Sequence, residues 1–197
     1  MRALRAAGLK VAVAKPIESG AERPDGTLYP EDAHALAAAA ELDVGVVCPW
    51  PLPLPVTPAE EIERLGLTLE MGDLIAAVER AEEGAEVVFV ESAGGLYSPL
   101  LPEADTIDLA RALDAQVLLV TSEVLGCIHD TTAAYRALLA AGVPVAAVAL
   151  NRRDDAIDAQ KNASWIRRRN EGVPLVQVGA GLGLDALIAA LGLSPES

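Results

Sequence analysis

The sequence predicts an α/β protein of βαβ type with a mostly parallel sheet. Three observations lead there. Short apolar runs recur along the chain as continuous stretches rather than alternating ones, as in strands covered on both sides. Helix-period segments lie between most of them, the alternation of a right-handed βαβ fold. The composition is 52% apolar but only 3% aromatic, so the core is built from Ala, Val, Leu and Ile.

Taken in order, "MRALRAAGLK" (1–10) reads as the end of an amphipathic helix closed by Gly8, and "KVAVAK" (10–15) as the first strand. A helix follows over 31–41. "CPWPLPLPVTP" (48–58) carries five prolines, which exclude a regular central strand or helix. It reads as an extended surface connection, or alternatively as a rigid pocket wall presenting Trp50. Next come a helix over 70–82, the strand "EVVFVE" (86–91), a helix over 106–113, the strand "QVLLVT" (116–121) and a helix over 128–141. Gly142 and "VPV" stop that helix and lead into "VAAVAL" (145–150). A helix over 155–169, the strand "PLVQV" (174–178) and a helix near 183–192 complete the chain. There is no internal repeat and no low-complexity tract. The 197 residues are enough for one domain with a substantial core, and a single domain over 1–197 is expected.

The formal charge of −14 argues against nucleic acid or an anionic membrane as partner, since both select clustered Lys and Arg. No apolar run reaches the roughly 18 residues of a membrane helix, and the start lacks a signal peptide's hydrophobic segment. Cys48 and Cys127 stand far apart with no C-x-x-C spacing, the usage of a reduced, cytoplasmic protein.

In an open parallel sheet, ligands bind beyond the carboxyl ends of the strands. Three ends carry chemistry here. In "AKPIESG", Lys15 leaves its strand directly and Pro16 forces an extended exit toward Ser19 and Gly20. In "VVFVESAGG", Glu91 ends a core strand and is followed by Ser92, Ala93, Gly94 and Gly95. A carboxylate there suits Mg²⁺, and small residues let phosphates approach the backbone. In "SEVLGCIHD", Gly126 to Ile128 precede a helix whose free N–H groups can hold an anion. Asp32 in "YPEDAHAL" is either a second metal ligand or a helix-start acid favoured by the macrodipole. His34 and His129 show no ligand spacing and read as helix-surface residues. Asn151, ending "VAAVAL", reads either as a base-reading amide or as a common strand terminator. "GAGLGLD" (179–185) misses the G-x-G-x-x-G pattern.

Taken together, "AAGLKVAVAKPIESG", "EDAHAL", "VFVESAGGLYSPL", "EVLGCIHD" and "VALNRRDD" resemble, in the same order, segments of the dethiobiotin synthetases. The resemblance covers almost the whole chain. It implies a P-loop NTPase-like doubly wound fold with helices on both faces, a homodimer, and an ATP-dependent cyclo-ligase of biotin biosynthesis. That enzyme uses ATP, Mg²⁺ and CO₂ to close the ureido ring of dethiobiotin on 7,8-diaminononanoate. By resemblance, Lys15 would stabilise the carbamate and its phosphorylated form, and Ser19 would contact the diamine. Asp32 and Glu91 would hold Mg²⁺ and, with Ser92, Ala93 and Gly94, border the nucleotide phosphates. Asn151 and Arg152 would belong to the nucleotide site, with Asn151 facing adenine. Gly126, Cys127 and Ile128 would lie near the substrate's carboxylate tail.

The chain contains no G-x-x-x-x-G-K-[ST]. In the family that loop and the strand before it come first, and Met1 falls inside the helix that follows them. The expectation is therefore a P-loop NTPase-like fold lacking its first strand and phosphate loop, with the sheet open at the gap. Smaller departures are Ser92 for a family Gly, His129 for an Asn, "EEIE" (60–63) where small residues are usual, and no Pro-x-Leu near 177–182. Two readings stay open: a dethiobiotin synthetase whose N-terminal segment is absent from this chain, and a catalytically impaired or non-catalytic relative serving as a binding or regulatory module. A third, a related P-loop amidoligase or partitioning-type ATPase, fits "AKPIESG" poorly.

Overall fold

A computed structural model describes residues 1–152, 159–179 and 183–193. The chain divides into two compact units, Met1–Leu113 and Asp114–Ser197. In both, parallel strands alternate with helices, the mixed α/β architecture that the apolar runs imply.

The first unit begins with α1 (Arg2–Ala6), β1 (Val11–Ala14) and β2 (Ile17–Ser19), followed by α2 (Glu31–Ala40) and α3 (Val44–Val47). Next come β3 (Trp50–Leu52), α4 (Pro58–Leu65), α5 (Met71–Glu82) and β4 (Val87–Val90). A short antiparallel pair, β5 (Pro99–Leu101) and β6 (Ala104–Asp105), leads into α6 (Thr106–Ala112). All four residues of β1 are buried. Its parallel partner is β4, in a register running from Val11 opposite Val87 to Ala14 opposite Val90. Helix α5 packs on this pair through Val78 and Ala81 against Ala14, where small side chains let helix and strand approach closely. Its start carries a reciprocal cap between Glu70 and Asp73. Helices α2 and α3 bury Ala33, Ala37, Ala40 and Val47 around Val13.

The proline-rich segment contains a strand that its composition conceals. β3 pairs in parallel with β2, Ile17 opposite Trp50 and Ser19 opposite Leu52. The hydrogen bonds come from Trp50 N–H to the Pro16 carbonyl, Ala21 N–H to Leu52 and Gly20 N–H to Leu54. Pro51 and Pro53 occupy the alternate positions, whose N–H groups this ladder does not use. Trp50 packs on the cluster of Ile17, Leu52, Ile62 and Leu74, so its indole belongs to the core. In "EEIE" the second acid, Glu61, turns inward and is fully buried. Its carboxylate accepts two hydrogen bonds from Arg64, both 2.6 Å, and one from Leu54 N–H at 3.3 Å. It clamps the end of the proline segment to α4.

The second unit is a three-stranded parallel sheet in the order β7 (Val117–Ser122), β8 (Val145–Asn151) and β9 (Leu175–Val178). Its helices are α7 (Cys127–Ala140), α8 (Ala159–Arg169) and α9 (Leu184–Ala190). Leu150 of β8 packs with Cys127, Ala163 and Ile166. Positions 155–158 of the helix expected over 155–169 lie outside the described residues. Among the described residues, no helix is long and apolar enough to cross a membrane.

The Arg64 hydrogen bonds hold the Glu61 carboxyl below its ordinary range, against the opposing effect of burial. A carboxylate depressed in the folded state contributes stability above its unfolded pKa, and that contribution is lost as pH falls through the folded value. The urea midpoint should therefore drop between about pH 5 and pH 3. Arg64→Met should lower the midpoint at neutral pH and flatten that acid-side dependence, which equilibrium unfolding at several pH values would measure.

Candidate active site

The β1–β4 register builds the centre of the site. Because Ala14 faces Val90, the next residues, Lys15 and Glu91, leave the two strands side by side, and Glu91 N–H donates to the Ala14 carbonyl at 2.8 Å. The Lys15 ammonium donates to Glu91 Oε1 at 2.5 Å and to Asp32 Oδ2, from the first turn of α2, at 2.9 Å. The Lys15 side chain is 5% exposed, whereas those of Asp32 and Glu91 are 64% and 50% exposed. Burial alone would lower the Lys15 pKa, but hydrogen bonds and charge from Glu91 and Asp32 outweigh it and hold the ammonium above the ordinary lysine value. The three residues widely separated in sequence thus meet at one cationic point. Two carboxylates converging there, with their outer sides in solvent, are oxygen donors of the kind that hold Mg²⁺ together with water and substrate phosphates. Among the described residues the protein supplies only these two carboxylates, so water and phosphate oxygens would have to complete the coordination of such an ion.

The small residues after Glu91 have a local structural cause. Ser92 Oγ lies 2.8 Å from Thr106 Oγ1, tying the strand end to α6. Ala93 packs against the core of the first unit. Gly94 has φ +87°, and a Cβ there would come within 2.4 Å of Ser98 Oγ and 2.7 Å of Ser98 Cβ. That same Oγ accepts from Gly95 N–H at 2.8 Å. Ser98 therefore closes the loop, and the glycines make room for it. Ser19 Oγ is buried and has no hydrogen-bond partner.

Two residues outside the expected set matter here. Glu18, on β2, is buried and accepts from the backbone N–H groups of Asp32 and Ala33. His34, on α2 and half-buried, stacks on Tyr29 with ring centroids 3.8 Å apart, and the Arg23 guanidinium carbon lies 3.4 Å from the Tyr29 centroid. An alternating apolar pattern would not reveal either, since both depend on the 20–30 loop folding back onto α2.

In the second unit, Gly126 and Ile128 line a cleft of about 460 Å³ with His129, Thr132, Arg136 and Arg169. Cys127 instead turns into the core, and burial raises its thiol pKa. Burial pushes Cys48 up to about 12, so neither cysteine is a ready nucleophile. Asn151 and Arg152 stand exposed at the carboxyl end of β8, where Arg152 N–H bonds to the Val178 carbonyl at 2.7 Å. Gly179 passes so close that a Cβ would lie 2.5 Å from the Arg152 carbonyl oxygen. Residues 153–158 of "RRDD" and its continuation, and 180–182 of "GAGLGLD", lie outside the described residues.

Parallel strands that deliver Lys15 and Glu91 to their carboxyl ends, beside Asp32 at the start of α2, are consistent with a P-loop NTPase-like α/β protein. Residues 1–178 match the family model described as "AAA domain". The ATP-dependent dethiobiotin synthetase of Aromatoleum aromaticum is 36% identical over 194 residues, covering 96% of this chain and 86% of that protein. Those of Rhodopirellula baltica and Xanthomonas axonopodis are each 34% identical, covering 88% and 86% of this chain and 73% and 77% of their own lengths. The chain belongs to the dethiobiotin synthetase family.

Gly94→Ala should destabilise the protein by roughly 1–2 kcal/mol from the left-handed backbone alone, with a further loss from displacing Ser98. Ser98→Gly added to Gly94→Ala should recover only the second part. Chemical denaturation of Gly94→Ala, Ser98→Gly and the double variant measures both contributions, with Ser98→Gly alone accounting for the lost Gly95 hydrogen bond.

Proposed function

We propose that this chain carries the catalytic body of an ATP- and Mg²⁺-dependent dethiobiotin synthetase, working in the cytoplasm as a homodimer and as one functional domain. The family match running across both compact units supports the last point. The observation that carries the reading is the buried Lys15 ammonium held between Asp32 and Glu91.

The reaction joins CO₂ to one amine of 7,8-diaminononanoate as a carbamate, transfers the γ-phosphoryl group of ATP to it, and closes the ring when the second amine expels phosphate. Such chemistry is accelerated by positioning and charge neutralisation. Lys15 supplies a fixed positive charge for the carbamate and its phosphorylated form. Ser19 Oγ, buried and without a partner, would bond the diamine. Asp32 and Glu91 are the residues that would hold Mg²⁺, which when bound neutralises the phosphate charge developing during transfer. Ser92, Ala93 and Gly94 border the phosphates, and Asn151 with Arg152 meets the base. The cleft of Gly126, Ile128, Arg136 and Arg169 takes the substrate's carboxylate tail, since its arginines offer counter-charge on an otherwise acidic protein. That acidity speaks against nucleic acid or an anionic membrane as partner.

Dethiobiotin formation from diaminononanoate, bicarbonate and Mg–ATP, read by mass spectrometry, tests the reading. Lys15→Ala should abolish product. Glu91→Gln should weaken Mg–ATP binding by roughly tenfold, about 1.4 kcal/mol. A chain that neither binds Mg–ATP nor forms product would be a binding module instead. Arg136→Ala should raise KM for the diamine about tenfold with kcat little changed. A diamine lacking the carboxylate should show no such difference.

A further inference from the structure

We propose that Glu18 is a positioning residue for the reacting centre, fixing the backbone of Asp32 so that its carboxylate meets Lys15. The proposal rests on the reading of Lys15, Asp32 and Glu91 as that centre.

Helix α2 lacks an ordinary cap. Its N-cap residue is Pro30, which makes no side-chain capping bond, although the first turn of any helix leaves N–H groups without intrahelical partners. Glu18 supplies the missing acceptors from fourteen residues upstream: Oε1 accepts from Asp32 N–H at 3.0 Å and Oε2 from Ala33 N–H at 2.8 Å. The carboxylate is 6% exposed and sits where the positive end of the helix dipole favours an anion. Both oxygens are engaged, one on each amide, so Glu18 serves as an acceptor for the helix end rather than as a ligand. Among the described residues, no group of three or more His, Cys, Asp or Glu is arranged to hold a metal.

The bonds close a ring. Lys15, Pro16, Ile17 and Glu18 are consecutive, Glu18 holds the Asp32 amide, and the Asp32 carboxylate returns to the Lys15 ammonium at 2.9 Å. Ile17 and Ala33, 1% and 0% exposed, anchor the two sides. The register with β3 places Glu18 opposite Pro51, so the strand partner presents no N–H at that position. With Glu18 removed, α2 can fray at its start, and Asp32 leaves the ammonium.

The test compares Glu18→Ala, Glu18→Gln, Asp32→Asn and the double variant Glu18→Ala/Asp32→Asn in the full chain. The first readout is the rate at which an acylating reagent modifies Lys15 at fixed pH, followed by peptide mass spectrometry. It needs no turnover. Glu18→Ala should speed modification to about the level of Asp32→Asn, and the double variant should be no faster than Asp32→Asn. Glu18→Gln, which keeps one acceptor, should fall between wild type and Glu18→Ala, and it decides the matter if the alanine variant does not fold. The second readout is dethiobiotin turnover, where Glu18→Ala should lower kcat about tenfold and have no further effect beside Asp32→Asn. Lys15 modification unchanged in both Glu18 variants, or effects of Glu18→Ala and Asp32→Asn that multiply in the double variant, would overturn the proposal. If the parent chain forms no dethiobiotin, the functional reading falls, and the acylation comparison still decides the positioning.

Discussion

A buried ammonium is the constraint around which the first unit is arranged. Taking the Lys15 charge out of water costs several kcal/mol unless partners meet it, and breaking a buried pair costs roughly 3–5 kcal/mol. Solvent at the half-exposed Asp32 and Glu91 carboxylates brings the present case toward the lower end of that range. Each partner arrives by a different route. Glu91 comes by strand register, because β4 pairs with β1 one residue before it. Asp32 comes by helix placement, because α2 starts where Glu18 can hold its amides. The alanines of α2 and α5 allow both helices to pack closely on β1.

Residues proposed to border the ligands also have structural employment. Gly94 is small because Ser98 closes the loop beneath it, whatever passes over its outer face. Ser92 is tied to Thr106, and Cys127 contributes its side chain to the core while its neighbours Gly126 and Ile128 line the cleft. A loop held by such internal bonds keeps its shape without a ligand, and preorganisation of that kind is what phosphoryl-transfer chemistry draws on. The proline-rich segment shows the same economy. Pro51 and Pro53 fall at ladder positions that need no donor, and Glu61 closes the segment's end onto α4.

Much of this was legible from sequence. The main strands, their buried character and the helices between them follow from apolar runs and periodicity, because a strand covered on both faces admits few polar residues. Lys15, Asp32 and Glu91 stood out as charged residues at strand and helix ends, although a helix-start acid favoured by the macrodipole was an equally open reading of Asp32. The family, too, is carried by those short segments and their order. What pattern could not supply was β3 inside a run of prolines, the antiparallel β5 and β6, the inward turn of Glu61, the stacking of His34 on Tyr29 and the capping by Glu18. Each depends on which residue of a distant segment lies opposite. Local sequence determines what a residue can donate, accept or bury. Only the tertiary structure decides which partner it meets, because register and helix placement are settled by the packing of the whole core and not by any one stretch of it.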